Sequence, residues 1–217
     1  MLSNRMRQCG VTLIELLIAV SIIATLMFLG LPSMGTWLSN SQIRTTGETL
    51  LAGINVARTE ALRRNAVVRF QLTTTMDSGC ALVVPAVPVT SANWVVSLGD
   101  PTGLCDKAPA DQADPNPPTA LDPKIIQKKS GTEGSRQAVV TATGGSTLNF
   151  FGLGRLTTPP GAPNITEINI TNPVAGNCQH VDVANGTMRC LRITISNGGQ
   201  IKMCDPAVLD NTDPRFC

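Results

Sequence analysis

From Val11 to Leu31 the chain reads VTLIELLIAVSIIATLMFLGL, an apolar run broken by one charge, Glu15. A helix over this run is roughly 31 Å long at 1.5 Å per residue, which matches the roughly 30 Å hydrocarbon thickness of a bilayer. The run predicts a transmembrane helix over 11–31. A second pattern follows it. Between Trp37 and about Arg64, Ile43, Gly47, Leu50, Ile54, Ala57 and Ala61 recur at steps of three and four, with Arg44, Glu48, Arg58 and Arg63 on the opposite face. This predicts an amphipathic helical continuation over 32–65 whose apolar stripe needs a cover. Gly30 and Pro32 lie between the two patterns. Proline removes one backbone hydrogen bond and clashes with the preceding turn, so an interruption with a kink is expected there.

After Asn65 the period changes to that of strands. Segments 66–73, 80–85, 93–98, 137–142, 147–151, 165–171, 189–196 and 200–204 are β-branched and bounded by Gly, Pro, Asn or Asp. Arg192 between Leu191 and Ile193, and Asn169 between Ile168 and Ile170, show the alternation of a half-buried sheet. Asn197-Gly198 reads as a tight hairpin turn. Residues 99–123 are rich in Pro and Asp and predict a long surface loop, read as a tolerated insertion anchored by Cys105. The expected fold class is α+β, a long N-terminal helix packed on an antiparallel β-sheet or β-sandwich domain over 66–217.

The ten residues before the apolar run, MLSNRMRQCG, carry Arg5 and Arg7 and no acid. They do not read as a secretory signal peptide, because no small-residue cleavage site follows the apolar run. A glycine, Gly10, precedes it instead. Cutting between Gly10 and Val11 would remove the leader, 1–10, and create an α-amine on Val11. It would also leave acidic and basic side chains equal in number, since the whole chain has 17 Lys and Arg against 15 Asp and Glu. Such a balance gives no electrostatic argument for nucleic acid. The leader arginines place the N-terminus in the cytoplasm and the domain after Pro32 outside.

A carboxylate within a membrane span costs about 2.5–3.5 kcal/mol on insertion scales and marks function by default. Glu15 cannot be reached by the first residue of its own helix. Its natural partner is the α-amine of Val11 in a neighbouring copy, an arrangement that describes a docking device for assembly.

Gly10 to Leu17, GVTLIELL, resembles the class III signal of type IV pilins and type II secretion pseudopilins. The resemblance assigns Gly10 and Val11 to processing, and Glu15 and Pro32 to assembly. It implies cleavage and N-methylation by a prepilin peptidase, insertion in the bacterial inner membrane with a periplasmic domain, and assembly with other major and minor pilins or pseudopilins. Val11 departs from the family, in which phenylalanine is usual. In the body, Asn149 to Arg155, NFFGLGR, resembles the F-x-G-x-G-R turn of the GspH/FimT group, which includes FimU. The stretch from Ile193 through Gly199 to Cys204, with Cys217, resembles the ending of that group. The implied function is a minor subunit that primes or caps a type IV pilus or a type II secretion pseudopilus.

The alternative is a pilus-tip DNA receptor, as in FimT-like relatives that carry G-R-x-R before a C-terminal cysteine. Here the matching residues are Gly199-Gln200-Ile201-Lys202. Phosphate affinity comes largely from Lys and Arg, so losing both arginines weakens that reading. Arg189, Arg192, Lys202 and Arg215 are the residues that would form a patch.

Seven cysteines are present, Cys9 in the leader and Cys80, Cys105, Cys178, Cys190, Cys204 and Cys217 beyond the membrane. Six in an oxidising compartment suggest disulfides, with 15 connectivities open. The most local choice pairs Cys80 with Cys105, Cys178 with Cys190 and Cys204 with Cys217. Zinc is disfavoured, because there is no C-x-x-C and one histidine, His180. His180 and Asp182 lack a G-x-S-x-G elbow, and Gly152-x-Gly154 and 131–134 do not open a helix. The sequence therefore predicts no enzyme, no cofactor and no metal.

Overall fold

The structure, a computed structural model, describes residues 11–110, 116–133, 135–158, 163–179 and 186–217, without the side chains of 28–33. One helix, α1, runs from Leu13 to Arg64. The interruption expected at Gly30 and Pro32 does not occur. One hydrogen bond lost to proline leaves the turns on either side intact in a helix of 52 residues. The helix stops at Asn65, whose left-handed backbone (φ 48°) lets its N–H return to the Ala61 carbonyl. Asparagine is among the few non-glycine residues that visit this region readily.

The stripe read from the sequence is the buried face. Ile43, Leu50, Ile54, Ala57 and Ala61 are inaccessible or nearly so, and Gly47 is buried with them. Arg58, expected on the opposite face, is half-buried beside the turn at Gly154. Nine strands follow: β1 (Val68–Thr73), β2 (Val89–Thr90), β3 (Asn93–Ser97), β4 (Ile125–Lys129), β5 (Val139–Thr143), β6 (Thr147–Phe150), β7 (Glu167–Thr171), β8 (Leu191–Ile195) and β9 (Ile201–Cys204). They form two sheets, ordered β4-β3-β1-β6 and β2-β5-β7-β8-β9, with every neighbour pair antiparallel. The fold is α+β.

The helix stripe is long enough to serve both sheets. A side chain at Gly53 would meet Phe70 of β1 and Trp94 of β3, whose rings lie 5.9 Å apart. One at Gly47 would meet Ile170 of β7, Leu191 of β8 and Met203 of β9. Glycine at both points lets the helix axis approach closely, and the neighbouring Leu50 and Ile54 then fill the space. Each such fully buried aliphatic side chain contributes about 1.5–3 kcal/mol of burial.

The expected strand at 80–85 is absent except for a bridge between Leu82 and Thr73. Its start is held by a disulfide to Cys105, and Pro85 with Ala86 (φ 63°) turns the chain away at its end. β4 was not expected, because IIQKK closes the Pro- and Asp-rich stretch without alternating. Its burial runs from buried Ile125 to half-exposed lysines, as befits a sheet edge.

The two sheets differ in what covers them. In the five-stranded sheet, β7 alternates between buried and half-exposed positions. In the four-stranded sheet, β3 and β6 are buried throughout. The second face of that sheet lies under the loop around Cys80 and Cys105, which packs with Met76, Val95 and Ile125. The Lys128 ammonium of β4 fastens this cover by donating to the carbonyls of Cys105, Asp106 and Lys107 at 2.7, 3.1 and 2.8 Å. The described part of 99–123 thus covers one face of this sheet and is anchored through Cys105; residues 111–115 lie outside the described residues.

All three local disulfides form: Cys80–Cys105, Cys178–Cys190 and Cys204–Cys217, with Cα separations of 6.1, 5.4 and 5.2 Å. These separations are within the range a disulfide spans without backbone movement. Cys204–Cys217 closes a loop of turn residues in which backbone bonds are local. The double replacement Cys204→Ser with Cys217→Ser is expected to cost about 2–4 kcal/mol, read from the denaturant midpoint of the oxidised protein.

Candidate assembly site

The first four turns of α1 stand clear of the domain. Every described residue from Val11 to Met27 is exposed, including Leu13 at 79 % and Leu26 at 64 %. Apolar side chains project on all sides, with no polar face to meet water. A helix apolar all round is stable only when embedded in lipid or among other helices. Among the described residues, no helix is long and apolar enough to cross a membrane. The expected span, 11–31, extends into positions 28–31, whose side chains lie outside the described residues.

Thr12 caps this helix, its hydroxyl accepting the Glu15 N–H at 3.3 Å. The spacing T-x-x-E is a helix-start signature that sequence reasoning did not use here. It places Glu15 in the first turn, where a negative charge faces the positive end of the helix dipole. Among the described residues, nothing in the chain hydrogen-bonds or pairs with the Glu15 carboxylate. Gly10 lies outside the described residues, and Val11 is exposed ahead of the cap.

The NFFGLGR segment makes a turn at the far end of α1. Gly154 donates to the Phe151 carbonyl at 2.7 Å, and Phe151 donates to the Arg155 carbonyl at 3.1 Å. A Cβ on Gly152 would overlap the backbone of Asn65, and one on Gly199 would overlap the Gly154 carbonyl. The turn therefore wedges the helix terminus against the β8–β9 hairpin. Arg155 contributes its backbone carbonyl, while its side chain is exposed.

At the other end of the covered stripe, α1 and the β8–β9 edge leave a groove of about 620 Å³. Trp37, Asn40, Ser41, Arg44, Arg189, Leu191, Met203, Cys204, Asp205 and Arg215 line it. The Arg189 N–H donates to the Asn40 side chain at 2.8 Å, which ties the start of β8 to the helix. Of the four candidate DNA-binding residues, only Arg189 and Arg215 meet here. Leu191 and Met203 face the helix, so Arg192 and Lys202 alternate to the outer face of the sheet. There Arg192 pairs with Glu167 at 3.3 Å and donates to Asn169 at 2.9 Å. The sequence patterns did not single out the groove, because its walls come from residues about 150 positions apart that share no periodicity. His180 and Asp182 lie outside the described residues, and no metal-binding cluster is present among those described.

Arg215 is held in turn by Asp213, through Nη2 to Oδ2 at 2.7 Å and Nε to Oδ1 at 3.1 Å. The side-chain bonds from Arg215, then its N–H, lower the Asp213 carboxyl to about 2. A carboxyl depressed by folding contributes stability above its unfolded pKa and loses that contribution as pH falls. This clip is therefore intact above about pH 4 and is lost as pH falls towards 2. An NMR titration is expected to find Asp213 ionising near 2, and Arg215→Ala to raise it part of the way towards the ordinary carboxylate range, because the residue-215 N–H still donates to Oδ1.

Residues 46–199 match the family described as type II transport protein GspH. Residues 5–31 match the prokaryotic N-terminal methylation motif. No curated protein matches the chain. Among solved structures, it is similar to the type IV minor pilin FimU of Pseudomonas aeruginosa in two crystal forms. One is 16% identical with a TM-score of 0.40, covering 77% of this chain and 97% of that one. The other is 16% identical with a TM-score of 0.42, covering 78% and 92%.

Proposed function

Because the chain belongs to the GspH family, we propose that it is a minor pilin or pseudopilin, assembled from the bacterial inner membrane into a type IV pilus or a type II secretion pseudopilus. The observation that carries this reading is the bare, all-round apolar start of α1, with a Glu15 in its first turn that has no side-chain partner among the described residues. A helix of that kind needs lipid first and neighbouring helices afterwards. The methylation motif over 5–31 supports cleavage between Gly10 and Val11 and methylation of the new amine by a prepilin peptidase. Glu15 then pairs with the Val11 amine of an adjacent subunit, and Pro32 marks the exit from the membrane. In the membrane stage the N-terminus is cytoplasmic and the domain periplasmic. Once docked, the subunit primes or caps the filament among other pilins or pseudopilins.

The test is the intact mass of the protein isolated from cells with an active prepilin peptidase. The expected mass is that of a chain beginning at Val11, heavier by one CH2 because a methyl group replaces an amine hydrogen, and two hydrogens lighter for each of three disulfides. A Gly10→Val variant is expected to keep the leader. A wild-type chain still carrying its leader would overturn the reading.

A further inference from the structure

We propose that the turn at Gly154, with the flank of α1 beside it, is a docking surface for a carboxylate carried by an adjacent pilin subunit. The inference rests on the reading of this chain as a filament subunit.

The first argument is a charge without a partner. Arg58 of α1 is half-buried, and its Nε is shut off from solvent with no hydrogen-bond partner. Among the described residues its guanidinium makes no ion pair either. Glu60, two residues on, points away around the helix and is taken by Arg63 and Arg64 at 2.7 and 2.8 Å. A buried donor left unsatisfied costs its desolvation, and a charged one costs more. Gly154 admits the Arg58 side chain, since a Cβ there would lie 3.3 Å from Nε. Arg155, next in the chain, is exposed and makes no ion pair among the described residues. Two cations thus meet at one turn with no acid bonded to either.

The second argument is the apolar surface around them. Leu62, whose Cδ atoms would lie 3.4 and 3.5 Å from a Cβ on Gly154, is 49 % exposed. Leu153 on the same turn is 73 % exposed. Arginine among large apolar side chains is the make-up of an energetic centre in a protein interface. A carboxylate would meet the guanidinium through two parallel hydrogen bonds, and the leucines would keep water from them.

Position excludes other occupants. Arg58 lies 27 residues beyond Leu31 on one continuous helix, roughly 40 Å along it, far above any lipid headgroup. Two copies meeting by this same surface would set arginine against arginine, which opposes a two-fold pair. A nucleic-acid duplex needs a cationic track, and the exposed leucines interrupt one here. An acid on a neighbouring subunit meets all three conditions.

The test uses the full-length chain in cells with an active prepilin peptidase, comparing sheared filaments with the membrane fraction. Arg58→Glu is expected to lower incorporation about tenfold or more. With a photoreactive residue in place of Leu153, filaments are expected to yield an adduct with another pilin subunit. Mass spectrometry is expected to place the link beside an Asp or Glu of that subunit. Exchanging that acid for arginine is expected to restore Arg58→Glu. Undiminished incorporation of Arg58→Glu, a link to a segment without acid, or a failed rescue would overturn the proposal. So would an Arg58-dependent gel shift with a short DNA duplex that blocks the Leu153 adduct. A folding role is tested on the purified mature chain in detergent. Arg58→Met keeps the stem and removes the stranded charge, so its urea midpoint is expected to be no lower than that of the unaltered chain. A lower midpoint would make Arg58 a structural residue and overturn the proposal. The two readings fail differently: an unaltered chain that keeps its leader or never enters filaments defeats the filament reading. One that is processed and enters filaments regardless of Arg58→Glu defeats only the docking surface.

Discussion

Glu15→Val is expected to leave the protein in the membrane and to remove it from filaments. The two outcomes differ because the carboxylate acts oppositely in the two environments. In lipid alone it is a burden of about 2.5–3.5 kcal/mol, so valine improves insertion. In the filament proposed above the same carboxylate would meet the Val11 amine of the adjacent subunit. Removing one member of a buried ion pair strands the other charge, at a cost of about 3–5 kcal/mol. That corresponds to a loss of at least about a hundredfold in the equilibrium for incorporation. Immunoblots of the membrane fraction and of sheared filaments provide the measurement. Undiminished recovery of the variant in filaments would exclude Glu15 as the docking group. Glu15→Gln keeps the shape and removes the charge, and is expected to fail in the same way.

Gly199→Ala is expected to destabilise the domain by about 2–5 kcal/mol. Two penalties add at this position. Its backbone is left-handed, φ 79°, which costs a residue with a Cβ about 1–2 kcal/mol. The new methyl group would also overlap the Gly154 carbonyl, an overpacking that costs about 1–3 kcal/mol. Gly198→Ala is the control. Its Cβ would meet only the Ser196 hydroxyl, at 3.7 Å, and its φ is not positive, so a change within about 0.5 kcal/mol is expected. Urea midpoints at unchanged slope separate the two variants. Equal midpoints would show that the wedge between hairpin and helix terminus carries no stability.

These two glycines show where sequence reading stops. Asn197-Gly198 marks the turn correctly, because such residues punctuate strands. The structure places the turn bond from Gly199 N–H to the Ser196 carbonyl and gives the left-handed position to Gly199. It is thus a three-residue connection, and the glycine that cannot be replaced is the second one. The helix stripe was fully legible, since Ile43 to Ala61 obey one period and bury one face. The disulfides were legible as the shortest closures, among several that spacing alone left open. β4 was not legible, because its edge position removes the alternation on which strand recognition depends. The absence of a strand at 80–85 was hidden for a different reason. Cys80 is committed to Cys105, a contact 25 residues away that outweighs local β-propensity.

The covered stretch of α1 lies lengthwise against both sheets and ends under Gly152 at Asn65. Tension drawn through the N-terminal half therefore loads these contacts in shear, all at once, instead of peeling them one by one. The Asn65 terminus acts as a stop at the inner end of this seam. A subunit gripped in this way transmits traction along its axis and yields only when the entire seam gives.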